Sequence, residues 1–137
     1  MSKLVLLALL SALVGCAGSG PKVWRVVSKQ GSLHFVEIDE RFAADADVIG
    51  RVGEEVCKGK RSCVAAIWSS KDRTPSALPV SFDVLATQLA SYQQNTTTGL
   101  HKLMLDCERV AAQDKSNCLP DAPDFREDIR PGLRPGD

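Results

Sequence analysis

Cys63-Val64-Ala65-Ala66-Ile67-Trp68 is an unbroken run of six apolar residues. A strand with one wet face alternates apolar and polar residues, whereas a run without alternation suits a central strand covered on both faces. This reading puts a sheet at the centre of the fold. The segments on either side then have to pair with that strand or cover it.

Immediately upstream, Lys58 to Ser62 reads as a tight basic turn. Before it, Ile49, Val52 and Val56 recur at i, i+3 and i+7, with Asp47 as N-cap and Gly59 as stop, which predicts a helix from Asp47 to Cys57. Phe42 and Ala46 extend the same face backwards. Gly50 and Gly53 oppose the assignment, since each weakens a helix by about 1 kcal/mol relative to alanine. Further upstream, Val23 to Val27 is rich in β-branched residues, Lys29 to Ser32 supplies a turn, and Leu33 to Asp39 reads as a second strand. The first unit is thus a hairpin; Trp24 could serve a binding surface, but a tryptophan in such a strand more often packs its indole on the core.

Downstream, Ser69 to Pro79 is a loop carrying two prolines. Ser81 can cap a helix running to about Gln94, since Phe82, Leu85, Leu89 and Tyr92 fall on one stripe and Asp83 sits where the helix dipole favours a negative charge. Asn95 to Gly99 ends that helix. From His101 to Cys107, Leu103, Leu105 and Cys107 alternate with Lys102, Met104 and Asp106, as in a half-buried strand. The expected order is β-β-α-β-α-β over residues 22–118, an α+β domain with a small sheet of about four strands and two helices. Residues 119–137 hold four of the seven prolines, interspersed with charge and glycine, and read as a disordered tail.

The N-terminus is of a different kind. Lys3 precedes an eleven-residue apolar stretch, Leu4 to Val14, broken only by Ser11. A membrane-spanning helix needs about 20 residues, so this length suits the apolar region of a signal peptide. The stretch ends in Leu13-Val14-Gly15-Cys16, which resembles the lipobox of bacterial lipoproteins. The resemblance implies removal of residues 1–15, a diacylglyceryl thioether on Cys16 and acylation of its new amine. Several acyl chains anchor a protein stably where a single one binds only marginally. Ala17 stands where an aspartate would resemble an inner-membrane retention signal, so the resemblance favours the outer membrane, facing the periplasm. Residues 17–21 are then a short Gly/Ser spacer, flexible and of limited reach.

Removing residues 1–15 leaves 122 residues, enough for one domain with one core. Lys3 leaves with the leader, so 17 basic residues become 16 against 17 acidic ones, for a net charge of −1. Such a balance does not point to nucleic acid. With Cys16 assigned to lipid, Cys57, Cys63, Cys107 and Cys118 remain, and an even number in an exported chain argues for two disulfides. Three connectivities are open. Cys57–Cys63 with Cys107–Cys118 is preferred because each closes a short, largely polar loop, although the crossed pairings are not excluded by the sequence. Zinc is the competing use of cysteine. The chain has no C-x2-C pair, and neither His34 nor His101 stands at a ligand-like spacing from two cysteines, so no metal or other cofactor is expected.

Catalytic motifs are sparse. Gly59-Lys60-Arg61 misses the phosphate-loop pattern twice: five residues separate Gly53 from Gly59, and Arg61 stands where Ser or Thr is required. No G-x-S-x-G or H-E-x-x-H occurs. A triad is recognised by geometry and not by order, which leaves His34 and His101 as the candidate bases of a small hydrolase. Glu54, Glu55 and Asp83 are candidates for a carboxylate pair, but acids on a helix surface are ordinarily just solvated. Asn95-Thr96-Thr97 matches a glycosylation sequon and reads here as a helix end.

Two surface features invite a binding role. One is the basic turn Lys58, Lys60 and Arg61, which near a lipidated terminus could meet anionic headgroups or an acidic partner. The other is the loop containing Lys71, Asp72 and Arg73, because loops longer than a typical connection often carry function. Cys57-x5-Cys63 with Val64 and Ile67-Trp68, then Tyr92-x-x-Asn95, Gly99-Leu100 and Cys107, resembles small exported bacterial proteins of unknown role over about fifty residues. That resemblance implies a shared disulfide-bearing fold and no activity. The expectation is a membrane-anchored envelope lipoprotein that binds an envelope protein or cell-wall partner, with a small periplasmic hydrolase as the alternative.

Overall fold

Five strands form one mixed sheet in which neighbours in sequence are neighbours in space: β1 (Trp24–Gln30), β2 (Leu33–Ile38), β3 (Ser62–Ser69), β4 (Ala90–Asn95) and β5 (Leu100–Leu105). The computed structural model describes residues 22–111 and 115–120. The expectations for the leader, for Cys16 and its spacer, and for the tail beyond residue 120 lie outside these residues.

The predicted hairpin is present. Gln30 pairs with Leu33 across a two-residue turn, and Gly31 at its first central position has φ +59, the left-handed conformation a type II′ turn requires there. β2 and β3 run parallel, so the chain must cross over between them. The crossover is α1 (Ala46–Cys57), preceded by a short 3-10 turn over Glu40–Phe42. Its cap is Asp45 and not Asp47: the Asp45 carboxylate accepts the backbone N–H groups of Asp47 and Val48 at 3.0 Å. Ile49, Val52 and Val56 are all buried, as their spacing predicted.

α1 packs across β3, β4 and β5. Against it the sheet presents Val36 and Ile38 from β2, Ala65 and Ile67 from β3, Ala90 and Tyr92 from β4, and Leu105 from β5. Gly53 makes this approach possible. A Cβ placed there would lie 2.5 Å from Tyr92 Cβ, so the residue that weakens the helix is the one that lets it seat on β4.

The predicted helix from Ser81 to Gln94 is corrected. Only Phe82–Leu85 is helical, as the single turn α2, and Ala90–Asn95 is the strand β4. The stripe failed because its members do not share an environment. Phe82 is 51% exposed while Leu89 is fully buried. The working pattern has period two, with Ala90, Tyr92 and Gln94 on the helix-covered face, and two of those three are residues that carry little apolar signal. Leu89 N already donates to Ile67 O at 2.8 Å, which starts the pairing with β3. The sheet therefore has five strands where about four were expected.

As the unbroken run predicted, β3 is covered on both faces. On the face away from α1, Phe35, Ala66 and Trp68 are buried beneath Val80 and Val84, which the chain between β3 and β4 folds back over the sheet. Trp68 Nε1 donates to Val84 O at 2.9 Å, so the indole satisfies its one donor while buried. The same segment reaches the far end of β1, where Leu78 N donates to the Gln30 side chain at 3.1 Å.

Both preferred disulfides form. Cys57–Cys63 joins the end of α1 to the start of β3, and Cys107–Cys118 closes the chain after β5. Cys118 bridges to Leu105, and Leu119 N donates to Leu105 O at 2.7 Å.

Candidate functional site

The two surface features singled out in the sequence lie at opposite ends of β3. The basic turn precedes Ser62 at its start, and Lys71 to Arg73 follows Ser69 at its end. A strand of that length spans roughly 23 Å. They are two sites, with different electrostatics.

At the end where β3 finishes, most charges are paired within the fold, although Lys22 and Arg73 are exposed and form no ion pair among the described residues. Lys71 pairs with Glu40 at 3.3 Å and Asp72 with Arg109 at 2.7 Å. Arg109 also donates to Thr87 O at 2.8 Å, tying the loop to the start of β4. Beside them, Arg41 forms a two-pronged contact with Asp39, at 3.0 and 2.8 Å, and this holds the Asp39 carboxyl down at about 2. Arg73 lies near Asp83, whose carboxyl is held low mainly by a hydrogen bond from the Ser81 hydroxyl. Lys71 and Asp72, offered as binding residues, thus each have an ion-pair partner in the fold, the Lys71–Glu40 pair largely exposed and the Asp72–Arg109 pair mostly covered.

At the other end, three segments far apart in sequence meet. They are the hairpin turn after Lys29, the basic turn after α1, and the β4–β5 turn at residues 96–99. Residues 29–34, 58–62 and 93–102 contain Lys29, Lys58, Lys60, Arg61 and Lys102 and no aspartate or glutamate. Lys60 is committed to the fold, since its ammonium donates to Val56 O at the end of α1. Lys58 stands 4.0 Å from Glu55. Lys29, Arg61 and Lys102 are exposed and, among the described residues, form no ion pair. Lys29 and Lys102 were missed in the sequence because each stands alone there; strand order brings them to the basic turn.

This basic end is rigidly built. The Gln94 amide donates to Cys57 O at 3.0 Å, which also accepts Lys60 N, and to Lys60 O at 2.7 Å, bracing the turn that leaves α1. Arg61 O accepts Thr96 N at 2.9 Å, fastening the basic turn to the β4–β5 turn. Asn95 Oδ1 accepts the N–H groups of Thr97 and Thr98, and Gly99 closes the turn at φ +73.

The two histidines flank this end without forming a catalytic pair. His34 is 5% exposed, its Nδ1 lying 3.1 Å from Ser32 O and 3.7 Å from the disulfide sulfur of Cys63. His101 is exposed, with Nδ1 3.1 Å from the Tyr92 hydroxyl. Burial, and after it Glu54, pushes the Tyr92 phenol above its usual range. Glu54, Glu55 and Asp83 are all exposed. Among the described residues, no group of three or more His, Cys, Asp or Glu side chains is placed to hold a metal ion, and no helix is long and apolar enough to cross a membrane.

One cleft opens inside the long loop, about 240 Å³ in volume and lined by Arg73, Thr74, Ser76, Val80 and Val84. The buried Thr74 hydroxyl there has no hydrogen-bond partner among the described residues. The volume is below the ~300 Å³ at which small-molecule sites usually begin. No known protein family, characterised protein or solved structure matches the chain, and its function has to be read from the contrast between these two ends.

Proposed function

We propose that this protein is a lipid-anchored, non-catalytic binding module of the bacterial cell envelope, tethered at one end of its sheet and binding through the other. The observation that carries this reading is the cluster of Lys29, Arg61 and Lys102 at one end of the sheet, exposed and without an ion pair among the described residues or an acidic residue in the segments that carry them. β1 begins at Trp24, beside Ile38, and finishes at Gln30, beside the hairpin turn of the basic end. Its seven residues separate the two ends by about 20 Å. The link from Cys16 to Val23, whose carbonyl accepts Asp39 N, reaches at most about 25 Å. The tether joins the fold at the end of the sheet opposite Lys29, Arg61 and Lys102, which favours a partner across from the anchoring membrane over that membrane's own headgroups.

A binding role also agrees with the histidines. His34 is enclosed against a carbonyl oxygen and a disulfide, and His101 is occupied by a phenol, so neither stands beside an activated nucleophile. Metabolic labelling with a fatty-acid probe tests the anchor. The wild type should be labelled and sediment with membranes, while Cys16→Ser should be unlabelled and soluble. A native N-terminus elsewhere, without lipid, would remove the envelope-anchor reading. Turnover of a wall or lipid substrate that disappears in His101→Ala would replace binding with catalysis.

A further inference from the structure

We propose that the basic end binds an acidic polysaccharide, a sugar chain carrying carboxylates along its length. The proposal deepens the binding reading above and rests on it. Three features of this end select the ligand class.

The first is where the cations sit. Lys29 is on β1, Arg61 directly precedes β3, and Lys102 is on β5, so they occupy alternate strands of the sheet. Two strand spacings are roughly 10 Å, a repeat comparable to a disaccharide. Lys29 pairs in register with His34 on the helix-covered face, while Lys102 pairs with Gln93 on the opposite face. A ligand touching both must pass over the rim from one face to the other. A flexible chain can do so; a flat, rigid surface cannot.

The second is what the end lacks. Stable protein interfaces are built around aromatic and apolar anchors, and single-stranded nucleic acid is held by stacking on aromatic rings. Residues 29–34, 58–62 and 93–102 contain no Phe, Tyr or Trp, and the large apolar side chains exposed there are Leu100 and, from the loop that reaches Gln30, Leu78, with no aromatic anchor between them. Neither an acidic protein nor a single strand finds its usual foothold.

The third is what surrounds the cations. Ser62, Thr96, Thr97 and Thr98 are exposed hydroxyl residues on the same rim, and Gln93 adds a half-buried amide beside Lys102. Short polar groups between charges suit a ligand whose acidic groups alternate with sugar hydroxyls. Because Lys29, Arg61 and Lys102 form no ion pair among the described residues, binding does not require breaking one.

The test uses the full chain, solubilised in detergent, and four immobilised polymers: polygalacturonate, neutral dextran, polyglutamate and double-stranded DNA. The wild type should be retained by polygalacturonate and pass through dextran. Charge-dominated contacts weaken as the Debye length shrinks, so affinity should fall by at least about tenfold between 0.05 and 0.5 M salt. The combined Lys29→Gln, Arg61→Gln and Lys102→Gln variant should lose at least about tenfold, while Lys71→Gln with Arg73→Gln should bind as the wild type does. No retention by polygalacturonate overturns the proposal, as does retention insensitive to salt, which needs no variant to measure. Equal or tighter binding to polyglutamate assigns the surface to an acidic protein instead, and to DNA, to a nucleic acid; either result overturns it. Failure here leaves lipid labelling at Cys16 untouched, and an unlabelled Cys16 leaves this binding untouched.

Discussion

The two ends of the sheet carry similar residues and use them differently. Where β1 starts and β3 finishes, each of Arg41, Lys71 and Arg109 has a carboxylate within 3.3 Å. Where β1 finishes and β3 starts, a disulfide and a buried glutamine amide hold the backbone, and three cations face solvent without an ion pair among the described residues. A surface whose charges are neutralised internally has little left to offer a ligand. A surface whose fold is secured by other means can keep its charges exposed. Lysine content alone would have ranked the two ends together.

The comparison can be broken most strongly at the Cys57–Cys63 bridge. Replacing both cysteines by alanine should cost about 2–4 kcal/mol, read as a lower melting temperature on circular dichroism. A loss well below 1 kcal/mol would show that the basic end is not held covalently in any sense that matters for stability.

Gln94→Ala comes next. It leaves the Lys60 carbonyl without its Gln94 donor and Cys57 O with Lys60 N alone, in a largely buried setting, at an expected cost of about 1–3 kcal/mol by urea denaturation. At the opposite end, Asp72→Ala removes a partly exposed ion pair with Arg109, and about 1 kcal/mol or less is expected. If Asp72→Ala proved the costlier of the two, the contrast between a covalently and amide-braced end and an ion-paired end would be reversed.

The smallest effect sharpens the electrostatics. Asp39 is a carboxylate whose folded value, about 2, is depressed from 3.8 by the Arg41 hydrogen bonds. Its contribution to stability is therefore present above about pH 4 and is lost as pH falls toward 2. An NMR titration should place its midpoint near 2, and Arg41→Gln should return it toward 3.8.

How much of this was legible in the chain follows from how local each signal is. The hairpin around Gly31, the buried face Ile49, Val52 and Val56, the doubly covered strand at Cys63 to Trp68 and both short disulfide loops depend on residues a few positions apart. Side-chain periodicity acts over that range, so the sequence alone was enough for the hairpin, the helix face and the covered strand; it favoured the two short disulfide loops without excluding the crossed pairings, which the tertiary structure decided. β4 was misread because its inward residues are Ala90, Tyr92 and Gln94, and the Phe82, Leu85, Leu89, Tyr92 spacing imitates a helix when the neighbouring strands are not known. Gly53 was legible only as a weak helix residue; the tertiary structure turns it into the point where α1 touches Tyr92.

The candidate site divides in the same way. The basic turn was visible as Lys58, Lys60 and Arg61, but half of its meaning was not. Pairing of β1 with β2, β2 with β3, β3 with β4 and β4 with β5 brings Lys29 and Lys102 to that end and withdraws Lys71 and Asp72 into ion pairs at the other. Composition determined that the charges nearly cancel over the chain. Only strand order decided that they separate in space, because Coulomb interaction depends on distance through the fold and not on distance along the backbone.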